Sequence, residues 1–325
     1  MTERDEKLDE LLRGAESRLR VPDTARQSAY RHLGTTWRGL VWRRRAMRAG
    51  IAATIVAAIG AALIVFRPET PPAPVVAETV RIIGDAWRVD EGGVAETLPV
   101  GASIRAGLLI RVDRQGGVAL RDTNGVVLRL DQGTRLRSEG ASHWFVEAGA
   151  VYIDTQAVAA DTRAASGPTV RVESAFGSVV NRGTQFLVAV STDNMAVAVR
   201  RGRVAVSSGS GQVAVEAGQQ VDVDEDGPGR TREVAGWGAV WRWTENLVDW
   251  SIADGQTVAQ LLLWVSHETG HPVAYENESA RELALQSRVF GIAGLPPMRA
   301  LPLGLASAEM RFGLVDGTIV VSKAR

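Results

Sequence analysis

Hydrophobic residues in the middle of the chain recur at every second position. From Val80 to about Asp226, short runs of valine, leucine and alanine alternate with polar residues, as in Val126–Leu130 and Val204–Val206. Turn-forming sequences rich in Gly, Asp and Asn separate these runs at intervals of roughly 8–12 residues. This spacing predicts an all-β sandwich or roll, which we place at residues 80–226.

The pattern changes at Gly227-Pro228-Gly229, where we predict a linker over residues 227–247. Helical and strand-like patterns alternate in residues 248–325, and they predict a small α+β domain of the βαββαβ type. Its predicted elements are a strand at Trp250–Ile252, a helix capped by Asp254 and ended by Gly270, a strand at Pro272–Tyr275 and a closing hairpin at Leu314–Val321.

A continuous apolar stretch runs from Ala49 to Phe66 and includes Ile51, Ile55 and Leu63. About 18 residues at ~1.5 Å per residue span ~27 Å, close to the ~30 Å hydrocarbon core of a bilayer. The stretch predicts a transmembrane helix. A proline-rich linker over residues 67–79 is expected to hold the following domain away from the membrane. A cleaved signal peptide and a buried soluble helix are the alternatives.

The positive-inside rule orients this predicted span. Arg43, Arg44, Arg45 and Arg48 precede it, whereas Arg67 is the last basic residue before Arg81 on the other flank. We therefore expect a single-pass inner-membrane protein with a cytoplasmic N-terminus and periplasmic C-terminal domains.

Residues 1–48 carry two short helical patterns. The second places apolar and aromatic side chains on one face, at steps of three and four residues: Tyr30, Leu33, Trp37, Leu40 and Val41. Two helices this short bury too little surface to fold alone. We predict that this face binds a cytoplasmic partner and folds with it. The alternative is an amphipathic segment that lies on the membrane surface.

Charge and composition narrow the functional classes. Residues 1–48 hold 12 basic and 7 acidic residues, so this segment is +5 and the remainder is −5. The arginines concentrate at the membrane edge, where they serve topology, so direct binding of nucleic acid is not expected. The chain has no cysteine, which excludes disulfides and thiolate metal sites. The sequence shows no phosphate loop, dinucleotide fingerprint or catalytic triad, and we expect neither enzyme nor cofactor.

Three segments carry short glycine-containing motifs: Ser174–Val188, SAFGSVVNRGTQFLV, then Val199–Val206 and Val215–Gln219. The first resembles a strand pair of the FecR family of bacterial inner-membrane signalling proteins, and the other two are similar to the motifs that follow this pair in the family. Residues Ile252–Val321 are similar to the short N-terminal signalling domain of secretins and TonB-dependent receptors. Pro302 falls where that domain has its second helix, so this helix is expected to be broken or replaced by a turn.

The resemblance implies an anti-sigma regulator. In such a protein the cytoplasmic segment holds an extracytoplasmic-function sigma factor, and the periplasmic part binds the signalling domain of an outer-membrane receptor. A membrane-tethered envelope scaffold that binds glycan or peptide, without a sigma factor, is the alternative from another class.

The Gly183-Thr184 dipeptide is the one candidate for chemistry that this resemblance adds. Several FecR-type proteins are thought to split at a Gly-Thr bond by an N–O acyl shift, in which the threonine hydroxyl attacks the preceding carbonyl. A strained peptide and a group that activates the hydroxyl would be needed. The alternative is a plain turn, in which glycine supplies an unusual φ and threonine opens the next strand.

Two further patterns have competing interpretations. His267-Glu268-Thr269-Gly270-His271 matches the HExxH motif of zinc proteases, but Gly270 and Pro272 are expected to end the helix before His271, so we predict no metal site. Five tryptophans are close together in the sequence and predict either a seam between the two C-terminal domains or an exposed docking or sugar-stacking platform: Trp237, Trp241, Trp243, Trp250 and Trp264.

Overall fold

The computed structural model describes residues 72–90, 92–155, 168–248 and 253–324, which belong to one compact unit. The predicted cytoplasmic segment 1–48 and the predicted span 49–66 lie outside these residues. The same is true of Trp250 and the strand predicted around it. None of the helices in the described ranges is long and apolar enough to cross a membrane.

Within the described residues, eighteen strands form one continuous, hydrogen-bonded β-structure, so the predicted β-rich character is confirmed. The first nine are β1 Val75–Ile83, β2 Ala86–Val89, β3 Ala95–Thr97, β4 Ser103–Arg105, β5 Leu109–Val112, β6 Gly117–Asp122, β7 Val127–Leu130, β8 Arg135–Gly140 and β9 His143–Asp154. The next nine are β10 Thr169–Ser174, β11 Gly177–Arg182, β12 Gln185–Val190, β13 Met195–Arg201, β14 Arg203–Ser208, β15 Gly211–Glu216, β16 Gln219–Asp224, β17 Gly227–Pro228 and β18 Arg232–Glu233.

The long strand β9 belongs to two sets of strands. Its first half pairs with β8 and, in parallel, with β10, while its second half pairs antiparallel with β7 and β12. The change occurs at Gly149, which has φ +89°, and a Cβ there would lie 2.5 Å from the Thr134 Cα. Only glycine allows both the conformation and the close approach. One strand thus joins the two halves of the β-structure.

The alternating pattern sorts the side chains of each strand onto two faces. One apolar cluster draws residues from both halves of the β-structure, including Ile110, Leu128, Trp144, Ile153 and Phe186. Residues at the intervening positions of β9, β12 and β13 form a second, smaller cluster with Trp241 on the opposite face. The first cluster is the core that the period-two pattern predicts.

The domain boundaries differ from the expected ones at two places. β1 begins at Val75, inside the predicted linker 67–79, and it pairs with β4 and β6. The predicted linker 227–247 holds β17, β18 and a 3₁₀ helix at Ala239–Leu247. Pairing to β16 orders the start of this segment, and the burial of Trp241 orders its end.

The C-terminal domain contains helices α1 Val258–Thr269, α2 Glu278–Gln286 and α3 Pro297–Ser307. Its three-stranded sheet has the order β19-β21-β20, with β19 Val273–Tyr275, β20 Met310–Val315 and β21 Thr318–Lys323. The predicted strand before α2, the closing hairpin and the helix end at Gly270, which has φ +77°, are all present.

Two details of this domain were predicted wrongly. The cap of α1 is Thr257, whose hydroxyl accepts from the Gln260 N–H in a capping box, while the Asp254 carboxylate accepts from the Gly291 N–H. Helix α3 also continues through Pro302. Pro302 is exposed, so water can bind the carbonyl that it leaves without a donor, and the buried Leu301 and Leu305 hold the helix in place.

Candidate functional site

The outer face of β7, β9, β12 and β13 is the most unusual surface of the β domain. Cross-strand pairing aligns Arg129, Tyr152, Leu187 and Ala198 in one row. Asp154 and Gln185 pair in the next row. The 3₁₀ helix covers the first row through Trp241, and the C-terminal end of α1 covers the second. The charged and polar side chains of this face are therefore buried between the two domains.

Arg129 and Glu268 form a fully buried ion pair across this interface. Their side chains are each 1% exposed, and the Arg129 Nη2 lies 2.7 Å from the Glu268 Oε2. The Arg129 Nη1 also donates to the Thr244 carbonyl of the 3₁₀ helix at 3.3 Å. Burial alone would lower the pKa of Arg129, but the charge of Glu268 reverses this and raises it. Each side chain depends on the other as its partner, because water cannot reach them.

Arg200 and Arg201 bind the end of helix α1. Gln185 pairs with Arg201 and Phe186 with Val199, so Arg200 is the extra residue of a β-bulge. Both guanidinium groups can then point toward α1, where Arg200 Nη1 donates to the Glu268 carbonyl at 2.8 Å and Arg201 Nη2 to the Ser266 carbonyl at 3.0 Å. Two cations at the negative end of a helix are electrostatically favourable.

Aromatic rings shield these charges from water. The guanidinium of Arg200 lies 4.7 Å from the ring centre of Trp241, and that of Arg129 lies 5.2 Å from the ring of Tyr152. Tyr152 and Trp241 pack edge to face at 6.3 Å. Such contacts add stability where the cation is desolvated.

Asp154, Gln185 and His267 form a second polar group at the same interface. The His267 Nε2 lies 2.7 Å from the Asp154 Oδ2, and the Gln185 Nε2 donates to the same oxygen at 2.9 Å. Burial opposes the ionisation of Asp154, but these hydrogen bonds and the His267 charge lower its pKa to about 2. Burial likewise works against the charged form of His267, yet Asp154 raises the pKa of the ring.

The Gly183–Thr184 peptide lies directly beside this group. Gly183 has φ +70°, as the turn interpretation requires, and the Thr184 side chain is completely buried. The Thr155 hydroxyl accepts from the Thr184 N–H at 2.7 Å, and the Thr155 N–H donates to the Thr184 carbonyl at 3.0 Å. The Asn181 Nδ2 donates to the Thr184 Oγ1. The Asn181 Oδ1 accepts from the Val170 N–H at 3.0 Å, which fixes the orientation of the amide.

This arrangement meets only part of the chemical requirement for an N–O acyl shift. The hydroxyl of Thr184 is held in place, but its partner Asn181 donates a hydrogen bond and is not a base. Among the described residues, no carboxylate or imidazole hydrogen-bonds to this hydroxyl. Gly202 packs closely against the same peptide: a Cβ there, at φ +80°, would lie 2.6 Å from the Thr184 Cγ2 and 2.9 Å from the Gly183 carbonyl oxygen.

The two histidines of the HExxH sequence serve different contacts. His267 faces Asp154, whereas His271 follows the helix end, donates from Nδ1 to the Gly317 carbonyl at 2.7 Å and stacks on Trp237. Glu268 is the partner of Arg129. In the part of the chain that the structure describes, no three His, Asp or Glu side chains converge as a metal site would require.

Two of the four described tryptophans in this group, Trp241 and Trp243, lie at the seam between the domains. Trp241 packs on the outer β face, Trp243 is half-buried beside it, and Trp264 belongs to the C-terminal core. Trp237 is 37% exposed and lines a cleft of about 580 Å³ together with His271, Arg242, Glu245 and Arg299. Among these four tryptophans, only Trp237 fits the interpretation as an exposed docking or sugar-stacking platform.

Sequence reasoning did not find most of the interface residues. Arg129, Asp154, Gln185 and Arg200 occupy outward positions of amphipathic strands, which normally face water. A signal was present in Tyr152-Ile153-Asp154-Thr155, where polar residues end a long apolar strand. The predicted partner-binding residues Tyr30, Leu33, Trp37, Leu40 and Val41 lie outside the described residues, as do the predicted membrane residues Ala49, Ile51, Ile55, Leu63 and Phe66.

Comparisons with known proteins identify the central segment. None of the curated proteins searched matches this sequence. Two crystal structures of a proposed anti-sigma factor from Parabacteroides distasonis ATCC 8503, at 1.65 and 2.50 Å resolution, are 16% and 15% identical to the chain. Each comparison covers 66% of this chain and 98% of the other, with a TM-score of 0.35. A family model described as FecR protein matches residues 109–205. Residues 109–205 therefore form a FecR domain.

Proposed function

We propose that this protein is a single-pass inner-membrane regulator that transmits a periplasmic signal to a cytoplasmic extracytoplasmic-function sigma factor by protein–protein binding. The observation that carries the proposal is the FecR domain at residues 109–205, which supports a role as a signalling regulator. The apolar stretch 49–66 and its arginine-rich N-terminal flank supply the proposed membrane topology.

The C-terminal domain offers a surface for the periplasmic partner, the signalling domain of an outer-membrane receptor. Strand β20 is an edge of the three-stranded sheet, and its last residues Leu314 and Val315 are 53% and 58% exposed. An edge strand with unpaired backbone groups can accept a strand from another protein. The partner would then bind on the domain that is itself seated on the FecR domain.

A binding experiment with membranes that contain the full chain tests the sigma-factor step. We expect a tagged chain to recover an extracytoplasmic-function sigma factor from the same cell. Tyr30→Ala and Trp37→Ala should abolish recovery, because both residues lie on the predicted binding face. Trp42→Ala removes a neighbouring tryptophan that lies off that face and should leave recovery unchanged. Intact recovery with the first two variants would refute the assignment of the face.

A scaffold that binds glycan or peptide is the second candidate function. The exposed ring of Trp237 favours it, since it lines a cleft with Arg242, Arg299 and Glu245. Absence of any sigma factor in the recovery experiment, together with saturable binding of a soluble oligosaccharide that Trp237→Ala removes, would support this alternative over the first.

Self-cleavage at Gly183–Thr184 stays a hypothesis beside the plain turn. In the reaction, the Thr184 Oγ would bond to the Gly183 carbonyl carbon as the peptide C–N bond breaks, and the hydroxyl proton would pass to the released amine. Hydrolysis of the ester would leave a Gly183 carboxylate and a Thr184 amino terminus. If cleavage occurs, Thr184→Ser should still yield two fragments on a gel, and the isosteric Thr184→Val should yield none. Full-length protein alone in every variant would support the turn.

A further inference from the structure

We propose that the C-terminal domain acts as a latch on the segment that carries the Gly183–Thr184 peptide. While α1 is seated on the β domain, its last turn holds Asp154 and Gln185 in place, and these residues in turn keep Thr155 and Thr184 paired. When the domain lifts, this corner of the β domain loses its order. The inference rests on the proposed function in one respect, because a partner bound to the C-terminal domain is the expected trigger.

The first step is the contact between the two domains. The His267 ring lies 2.7 Å from the Asp154 Oδ2 and 3.0 Å from the Gln185 Nε2, and the Gln185 Nε2 also lies 3.3 Å from the His267 carbonyl oxygen. Gln185 and Asp154 are fully buried, and the His267 side chain is 19% exposed. One residue of α1 thus contacts both strands of the β9–β12 pair at the same cross-strand position.

The second step leads from Asp154 and Gln185 to the residue that adjoins each of them in the chain. Thr155 follows Asp154, and Thr184 precedes Gln185. The two threonines are joined by hydrogen bonds of 2.7, 3.0 and 3.1 Å, between the Thr155 hydroxyl and N–H and the Thr184 backbone. The contact with His267 and the contact that fixes Thr184 are therefore adjacent, with no flexible side chain between them.

A second connection reaches the same peptide from β13. Arg200 and Arg201 donate to the carbonyls at the end of α1, and the next residue, Gly202, packs against the Gly183 carbonyl and the Thr184 methyl group. Movement of α1 would break both of these hydrogen bonds. The segment around Gly183 thus contacts two structures, β9 and the end of β13, that α1 holds directly.

The interface around His267 is polar, and a polar contact can open without unfolding of the β domain. Around His267 it is made of hydrogen bonds and charges, and water can replace these when the surfaces separate. Interfaces between domains of one chain are commonly polar and permit relative motion. The inner core, by contrast, is apolar and cannot open without unfolding.

Hydrogen–deuterium exchange on the full chain in detergent micelles tests the latch. In His267→Ala, we expect the amides of peptides that cover residues 177–190 to exchange at least about tenfold faster, which corresponds to about 1.4 kcal/mol. Asp154→Asn keeps the shape of the side chain and should act in the same direction. Peptides that cover β1 and β6, which pair with β4, β7 and each other, should keep their wild-type rates.

His271→Ala is the matched control. His271 lies at the same helix end but contacts Gly317 and Trp237, so its loss should leave residues 177–190 unchanged. Unchanged exchange at 177–190 in both His267→Ala and Asp154→Asn would overturn the latch, as would an equal increase in His271→Ala or in the β1 and β6 peptides. The measurement needs no sigma factor, so its failure is distinguishable from failure of the proposed function.

Discussion

The two faces of the same β strands are built from different chemistry. Leu128 and Arg129 are neighbours in β7 and both are buried, yet Leu128 joins an apolar core while Arg129 pairs with a carboxylate from another domain. Tyr152 and Ile153 in β9 divide in the same way. The apolar face needs only close packing, whereas every charged group on the outer face needs a specific partner. The inner face therefore stabilises the domain, and the outer face specifies how the next domain sits on it.

The largest expected effect on stability compares a buried charged side chain, Arg129, with a buried apolar one, Leu128. Arg129→Met leaves Glu268 buried without its partner and should cost about 3–5 kcal/mol of unfolding free energy. Leu128→Ala should cost about 2–5 kcal/mol through the cavity that it leaves. Urea unfolding of the full chain in detergent micelles measures both values.

The double variant Arg129→Met/Glu268→Leu distinguishes the loss of a charged partner from the loss of apolar packing. It should recover most of the lost stability, because apolar side chains can replace a buried ion pair. No change in the C-terminal domain should rescue Leu128→Ala. A double variant as unstable as the single Arg129→Met would contradict the distinction between the faces.

Gly202→Ala tests how tightly the outer face is packed around Thr184. Its φ of +80° and the 2.6 Å approach to the Thr184 Cγ2 both oppose a side chain. We expect a loss of about 1–3 kcal/mol, measured by urea unfolding. Gly209→Ala is the control, since nothing lies within 4 Å of a Cβ there, and its loss should stay below about 0.5 kcal/mol.

The pH dependence of stability should report the Asp154–His267 contact. The pKa of Asp154 falls from 3.8 to about 2 on folding, so its contribution of about 2 kcal/mol is present above pH 4 and is lost as the pH falls toward 2. The pKa of His267 is raised above 6.5, so its contribution is complete below 6.5 and is lost as the pH rises through the folded-state pKa. Stability should therefore be greatest between about pH 4 and 6.5. His267→Ala should flatten the alkaline side of this profile, and an unchanged profile would count against the contact.

The smallest expected effect concerns the far end of the same helix. Thr257→Ala removes the capping box of α1 and should cost about 1 kcal/mol. The cap lies roughly 15 Å from His267 along the helix axis. The variant should therefore lower stability equally at every pH, and Thr257→Ser should restore it. A changed pH profile would show that the two helix ends are coupled.

The sequence predicted the strands of the β domain well because their pattern is local. Alternation at period two places Leu128 and Phe186 in the core without any knowledge of distant residues. The same rule assigns Arg129 and Asp154 to a solvent-facing surface, which is wrong here. What covers that surface, the Glu268 and His267 of α1, lies more than 100 residues further along the chain, and no local pattern indicates that pairing.

The errors in the C-terminal domain have local causes. The Thr257–Gln260 pair is a recognisable capping box, but Asp254, three residues before it, is also a favoured capping residue. Pro302 was expected to break α3, although a helix whose buried side holds Leu301 and Leu305 can tolerate a proline on its exposed side. Of the candidate site, the Gly183 turn was visible in the sequence, and its neighbours Thr155, Asn181 and Gly202 were not.

The shared strand β9 has a consequence for how the protein folds. Its residues must find β7 and β8, which precede it, and also β10 and β12, whose paired residues follow by up to 41 positions. The first nine strands alone leave the half of β9 after Gly149 as an open edge, which is a site for wrong pairing until β12 arrives. Contacts of this range slow folding. A chain cut between β9 and β12 should therefore aggregate rather than fold as a smaller domain.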